Sequence, residues 1–178
     1  MPTHIGFLRA VNVGKRQYKT ADLRSALAGA GYADVETHIQ TGNIKVSTPL
    51  RSTTKVEAAL EELFLADRGF EVVTMVFTPR ELTRIATEAD ELSADRRPEH
   101  GQYLTILKTA PTAEVTARVE ALSGDGETLL VRGRIVHLLY DVPYGTSKAA
   151  VLLEKLAGPA TNRNLTVIRA IADKWGVG

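Results

Sequence analysis

The chain has 178 residues, 44% hydrophobic and 24% charged, with a formal net charge of +1; this is ordinary globular composition, enough for one large domain or two small ones without a covalent staple. There is no cysteine, which excludes disulfides, iron–sulfur clusters, thiolate zinc sites and cysteine nucleophiles. The N-terminus lacks the basic-then-apolar pattern of a signal peptide, and no apolar run nears the roughly 20 residues that cross a bilayer, so a soluble, cytoplasmic protein with no membrane contact is expected.

Ile5–Leu8, with Val11 and Val13 beyond, reads as a buried strand leaving into a turn at Asn12 and Gly14. Thr20 is positioned to cap a helix over 21–30, with Leu23 and Leu27 inward and Gly31 at its C-terminal turn. Val35–Gln40 and Ile44–Ser47 are strands around the turn Thr41-Gly42-Asn43. Thr54-Lys55-Val56-Glu57 has capping-box spacing and opens a helix with Val56, Leu60, Leu63 and Phe64 on one side. Phe70–Phe77 is a near-continuous apolar strand. Thr78-Pro79-Arg80-Glu81 is a second capping box with proline at the first helical position. Residues 90–101, acidic then basic with Pro98 and Gly101, read as a linker loop.

Gln102–Lys108 is a further strand, and Pro111 opens a helix with Val115, Val119 and Leu122 inward. Thr128–Val131 and Ile135–Tyr140 form a hairpin around Arg132-Gly133-Arg134. Residues 147–157 are helical, Thr161-Asn162-Arg163-Asn164 is a polar break, and a last helix carries Ile168, Ile171 and Trp175 at helical spacing. The expected class is α+β: two ferredoxin-like halves of the split βαβ, or α/β plait, type. The first, residues 1–89, runs βαββαβ with a helical extension. The second, residues 102–178, runs βαββα plus a C-terminal helix.

No nucleophile elbow, P-loop, HExxH or Rossmann fingerprint is present. The four histidines lack ligand spacing, and no carboxylate pair stands out as an acid–base couple. The suggestive stretches are polar and basic. Arg9-Ala10-Val11-Asn12-Val13-Gly14-Lys15 puts a guanidinium fork, an amide and an ammonium at the exit of a buried strand, where ligands commonly bind. Gln40, Thr41, Asn43 and Lys45 crowd one hairpin with more polar residues than a turn requires. Gly145-Thr146-Ser147-Lys148 opens a helix, whose N-terminus favours anions, although ordinary capping has the same residues. Residues 1–48 hold six basic against three acidic residues, 142–178 five against two, and the middle is acidic. Ends that met would form a positive face.

Arg9–Lys15, Ile39-Gln40-Thr41-Gly42-Asn43, Ser147-Lys148 and Thr161-Asn162-Arg163-Asn164 resemble, in order and spacing, the bacterial domain of unknown function 1697 family. That family's pattern runs approximately Arg-Gly-Ile-Asn-Val-Gly, Ile-Gln-Ser-Gly-Asn, Ser-Lys and Thr-x-Arg-Asn-Trp. Ala10, Thr41 and Leu165 depart from it, and Leu165 removes an aromatic surface. The resemblance implies a two-part α+β plait fold and no assigned activity or cofactor.

The candidate ligand-binding set is Arg9, Asn12, Lys15, Gln40, Thr41, Asn43, Ser147, Lys148, Arg163 and Asn164. All are donors, amides or hydroxyls, suited to holding an anion rather than to abstracting a proton. The leading expectation is a phosphate-bearing, nucleotide-like or other anionic small molecule in a polar cleft between the halves. One alternative is a structural role in which the motifs join the halves. Another is nucleic-acid binding, for which Phe7 and Tyr103 are the nearest stacking candidates. A Ser147–Lys148 nucleophile pair is disfavoured, because adjacent helical residues diverge by about 100°.

Overall fold

The computed structural model describes residues 1–39, 42–143, 147 and 149–177. The chain folds as two compact units, Met1–Thr83 with the C-terminal segment from Lys174, and Arg84–Asp173.

The first unit contains β1 (Thr3–Leu8), α1 (Thr20–Gly29), β2 (Ala33–His38), β3 (Asn43–Ser47), α2 (Thr53–Arg68) and β4 (Thr74–Phe77). Its antiparallel sheet has the order β2-β3-β1-β4. The register pairs Gly6 with Ile44 and Val76 on one face, and Phe7 with Asn43 and Met75 on the other. Helices α1 and α2 cover the first face, where Leu23, Leu27, Val56, Leu60 and Phe64 meet Leu8, Ile44, Val46 and Val76. Ile5, Phe7, Met75 and Phe77 on the opposite face are buried as well. This accounts for the unbroken apolar runs in β1 and β4, since alternation is lost when both faces leave water.

The helix starts differ in part from expectation. Thr20 is the first residue of α1 rather than its cap, and the preceding Lys19 makes no side-chain capping bond. Helix α2 is capped by Ser52, whose Oγ accepts from Lys55 N at 3.4 Å. Glu57 is thereby released from the expected box and accepts instead from Val76 N of β4 at 2.8 Å. The box at Thr78 forms as expected: Thr78 N donates to Glu81 at 2.7 Å, and Glu81 N donates to Thr78 Oγ1 at 3.2 Å.

Helix α3 (Pro79–Arg96) runs through much of the stretch expected as a linker loop, so the non-helical part of 90–101 begins only at Arg97. Charge was the misleading signal there. Polar and charged residues are good helix formers on an exposed face, and the breakers, Pro98 and Gly101, stand after Arg96.

The second unit continues with β5 (Gln102–Leu107), α4 (Ala113–Glu120), β6 (Glu127–Arg132), β7 (Ile135–Tyr140), α5 (Ala149–Ala157), β8 (Ala160–Asn164) and α6 (Leu165–Trp175), with sheet order β6-β7-β5-β8. Thr161–Asn164, expected as a polar break, lies in the edge strand β8, paired antiparallel with β5 from Tyr103↔Asn164 to Leu107↔Ala160. An edge strand tolerates polar residues that a central strand would not. The second half is therefore βαββαβ plus a helix, with α4 and α5 packing Val119, Ala149 and Leu153 against Leu129, Val136, Leu138 and Tyr140. Among the described residues no helix is long and apolar enough to cross a membrane.

Both sheets close one edge in the same way. In β4, Thr74 N and Val76 N donate to Glu61 and Glu57 of α2 at 2.9 and 2.8 Å. In β6, Leu129 N donates to Ser123 Oγ at 2.9 Å, and Val131 N donates to Glu120 of α4 at 2.9 Å. Side chains following or within a helix thus take the place of a further strand.

Candidate functional site

The loop after β1 is built around three residues in the left-handed region, Ala10 (φ 54°), Asn12 (φ 60°) and Gly14 (φ 58°), separated by residues of negative φ. Asn12 tolerates this conformation and Gly14 favours it. The loop is held by its carbonyls. Val13 O accepts from Arg16 N, Lys15 O from Gln17 N and Arg16 O from Asn12 N, at 3.1, 3.1 and 2.8 Å, and Gly14 O accepts from Gln17 Nε2 at 3.0 Å. Val13 also faces Arg16 in an antiparallel bridge, while the N–H groups of Val11, Gly14 and Lys15 have no acceptor among the described residues. Alternation of backbone handedness turns successive N–H groups to a common side, the arrangement that forms anion-binding concavities.

Tyr18 anchors the far end of the loop. Its N–H donates to Asn12 Oδ1 at 2.8 Å, and its hydroxyl donates to Asp67 Oδ2 at 2.8 Å. The Tyr18 ring is buried edge-on to Phe64, with the Arg68 guanidinium 4.6 Å from its centroid. Burial, reinforced by the Asp67 carboxylate, raises the phenol far above its ordinary pKa. It is therefore a permanent donor to Asp67. Arg16, exposed, lies 5.9 Å from the centre of the Phe70 ring.

The β2–β3 hairpin meets this loop at Gly42, whose carbonyl accepts from Leu8 N at 2.8 Å. Gly42 has φ 81°, and a Cβ there would lie 2.9 Å from Leu8 Cβ, so both conformation and space call for glycine. Asn43 is fully buried and donates to His38 O at 2.9 Å, closing the hairpin. Asn12, Ile39, Gly42 and Asn43 share a cavity of about 10 Å³. That is room for about one water, so a larger ligand would occupy the outer side of the loop. Gln40 and Thr41, two of the expected site residues, lie outside the described residues.

Of the expected set, Arg9, Asn12, Lys15 and Asn43 belong to the first unit, and Ser147, Arg163 and Asn164 to the second. Ser147 donates to Glu127 Oε2 at 3.1 Å, and Lys148 lies outside the described residues. Arg163 is buried in β8, where its guanidinium donates to Thr161 Oγ1 and Asn162 O at 2.8 and 2.7 Å; desolvation lowers its pKa to about 10. Asn164 caps α6, its Oδ1 accepting from Val167 N at 2.8 Å.

Glu36 was not singled out by the sequence, and His137 stood there only among four histidines without ligand spacing. Glu36, on β2, pairs with Lys45 and Lys174 and accepts from Trp175 Nε1 at 2.9 Å; these donors, Lys45 first, lower its pKa to about 2. His137 is buried in β7 with Nδ1 3.2 Å from Gln102 Nε2, and burial, then the Arg132 charge, lower its pKa to about 4. Neither could be found from spacing, because each depends on strand register. No group of three or more metal-ligating side chains occurs among the described residues.

The model of a protein family of unknown function, DUF1697, matches residues 1–137. The chain belongs to that family. The match takes in the loop at Arg9–Lys15 and the hairpin at Ile39–Asn43, and ends before Ser147. A conserved bacterial protein from Streptococcus pneumoniae has a similar fold, with TM-score 0.76 at 23% identity over 98% of each chain. No curated protein matches the chain.

Proposed function

We propose that this DUF1697 member binds a phosphate-bearing or other small anion on the outer side of the loop Arg9–Arg16. The observation that carries the reading is the asymmetry of the loop's own hydrogen bonds. The carbonyls of Val13, Gly14, Lys15 and Arg16 are occupied, while the N–H groups of the exposed residues Gly14 and Lys15 have no acceptor among the described residues. Arg9, Lys15 and Arg16 add positive charge, and no acidic residue precedes Asp22 in the chain. Fixed N–H groups beside cations favour an anion without a protonation step.

The test is a titration of the full ¹⁵N-labelled chain with inorganic phosphate, read at the backbone amides. Saturable shifts centred on Gly14 and Lys15 are expected, and Lys15→Ala and Arg16→Ala should each weaken binding about threefold, the scale of one exposed charge interaction. Shifts absent from these amides, or equal in both variants and the parent, refute the reading.

A structural role is the second reading, favoured for Asn43, Arg163 and Asn164 by the bonds each makes to neighbouring main chain. Nucleic-acid binding has less support, since Phe7 is buried against Phe77 and Tyr103 packs edge-on to Tyr140. The βαββαβ order of each unit supports reading both as split βαβ plaits. The absence of cysteine supports a cytoplasmic setting.

A further inference from the structure

Ile39 combines two unfavourable features. It is β-branched with φ 57°, a conformation that such side chains rarely adopt, and it is 51% exposed. A strained, exposed apolar residue contributes little to the core, and local strain of this kind concentrates where ligands are held. Ile39 lines the same small cavity as Asn12, and the residue after Asn12, Val13, is 63% exposed. Two uncovered aliphatic side chains thus belong to the two segments that meet at the anion loop.

We infer that the ligand's anionic group is carried on an apolar body, aromatic or short alkyl, which lies against Val13 and Ile39; the ligand class is a phosphomonoester of an apolar alcohol. This inference rests on the anion-loop reading and adds a preference that the loop's N–H groups alone would not give. Removing the body's apolar surface and these two side chains from water supplies the preference, while the phosphate fixes the orientation.

The test compares phenyl phosphate with inorganic phosphate on the full chain by amide shifts. Phenyl phosphate should bind roughly tenfold more tightly. In Ile39→Asn the ratio of the two dissociation constants should fall to near one, because asparagine accepts the positive φ and so keeps the hairpin while removing the aliphatic surface. Leu65→Asn, which removes an exposed aliphatic side chain from α2, should keep the tenfold ratio. If inorganic phosphate binds and phenyl phosphate binds no better, the inference fails and the anion loop stands. A preference that survives Ile39→Asn, or is lost equally in Leu65→Asn, also overturns it. If neither compound binds, both readings fall.

Discussion

Asn12 does two things at once. It adopts a left-handed backbone, and its Oδ1 accepts the Tyr18 N–H that closes the loop. Asn12→Ala should therefore destabilise the protein by about 1–2 kcal/mol, from a lost hydrogen bond and added backbone strain. It should also broaden the loop amides in solution, which urea titration and NMR would register. Ile39→Asn should act in the opposite sense and stabilise by about 1 kcal/mol, since the strain is relieved and little burial is lost; a fall in the urea midpoint would contradict the strain argument. Both residues stood in stretches that the sequence marked as unusual. Residue type and turn chemistry made Asn12 and Gly14 legible as a loop. The alternation of φ along the loop was not legible, because Ala10 is a residue for which positive φ is not expected, and the positive φ of Ile39 was hidden for the same reason.

At the scale of the element, the sequence was most legible where periodicity was strong. The inward faces of α1, α2 and α6, the β6–β7 hairpin and the box at Thr78 came out as expected, whereas the turn expected at Thr41-Gly42-Asn43 lies partly outside the described residues. Glu57 was misread because a spacing rule sees only the local helix, whereas its carboxylate reaches a strand that lies 19 positions further along. Glu57→Ala leaves the buried Val76 N–H without an acceptor, and a loss of about 2 kcal/mol is expected. Glu57→Gln keeps an acceptor oxygen and should recover most of it. Equal urea midpoints for the two variants would show that the edge bond contributes little. β8 was missed for a related reason: Thr161-Asn162-Arg163-Asn164 has no apolar residue to announce a strand, and only pairing with β5 reveals it.

The whole molecule repeats one plan twice, a four-stranded antiparallel sheet with two helices on one face. Element order made the repeat visible without any sequence repeat. Among the buried polar positions, His137 has the clearest consequence. Its folded-state pKa, about 4, lies below the ordinary 6.5. Between these values the unfolded chain binds more protons than the folded one, so stability is full above about pH 6.5 and declines as pH falls toward 4, by about 3 kcal/mol in total. His137→Leu should flatten that part of the stability–pH profile. An unchanged slope in the variant would assign the acid sensitivity to other groups.

The helix-to-strand bonds at the sheet edges also bear on how the chain reaches its fold. Glu57–Val76, Glu61–Thr74, Glu120–Val131 and Ser123–Leu129 join residues only 19, 13, 11 and 6 positions apart. Contacts that local have a small loop-closure cost and can form early, before the distant strand pairings. One edge of each sheet, β4 in the first and β6 in the second, is thus occupied while the rest of the sheet is still assembling. The nascent chain is thereby guarded against aggregation by four side chains that also accept hydrogen bonds in the finished protein.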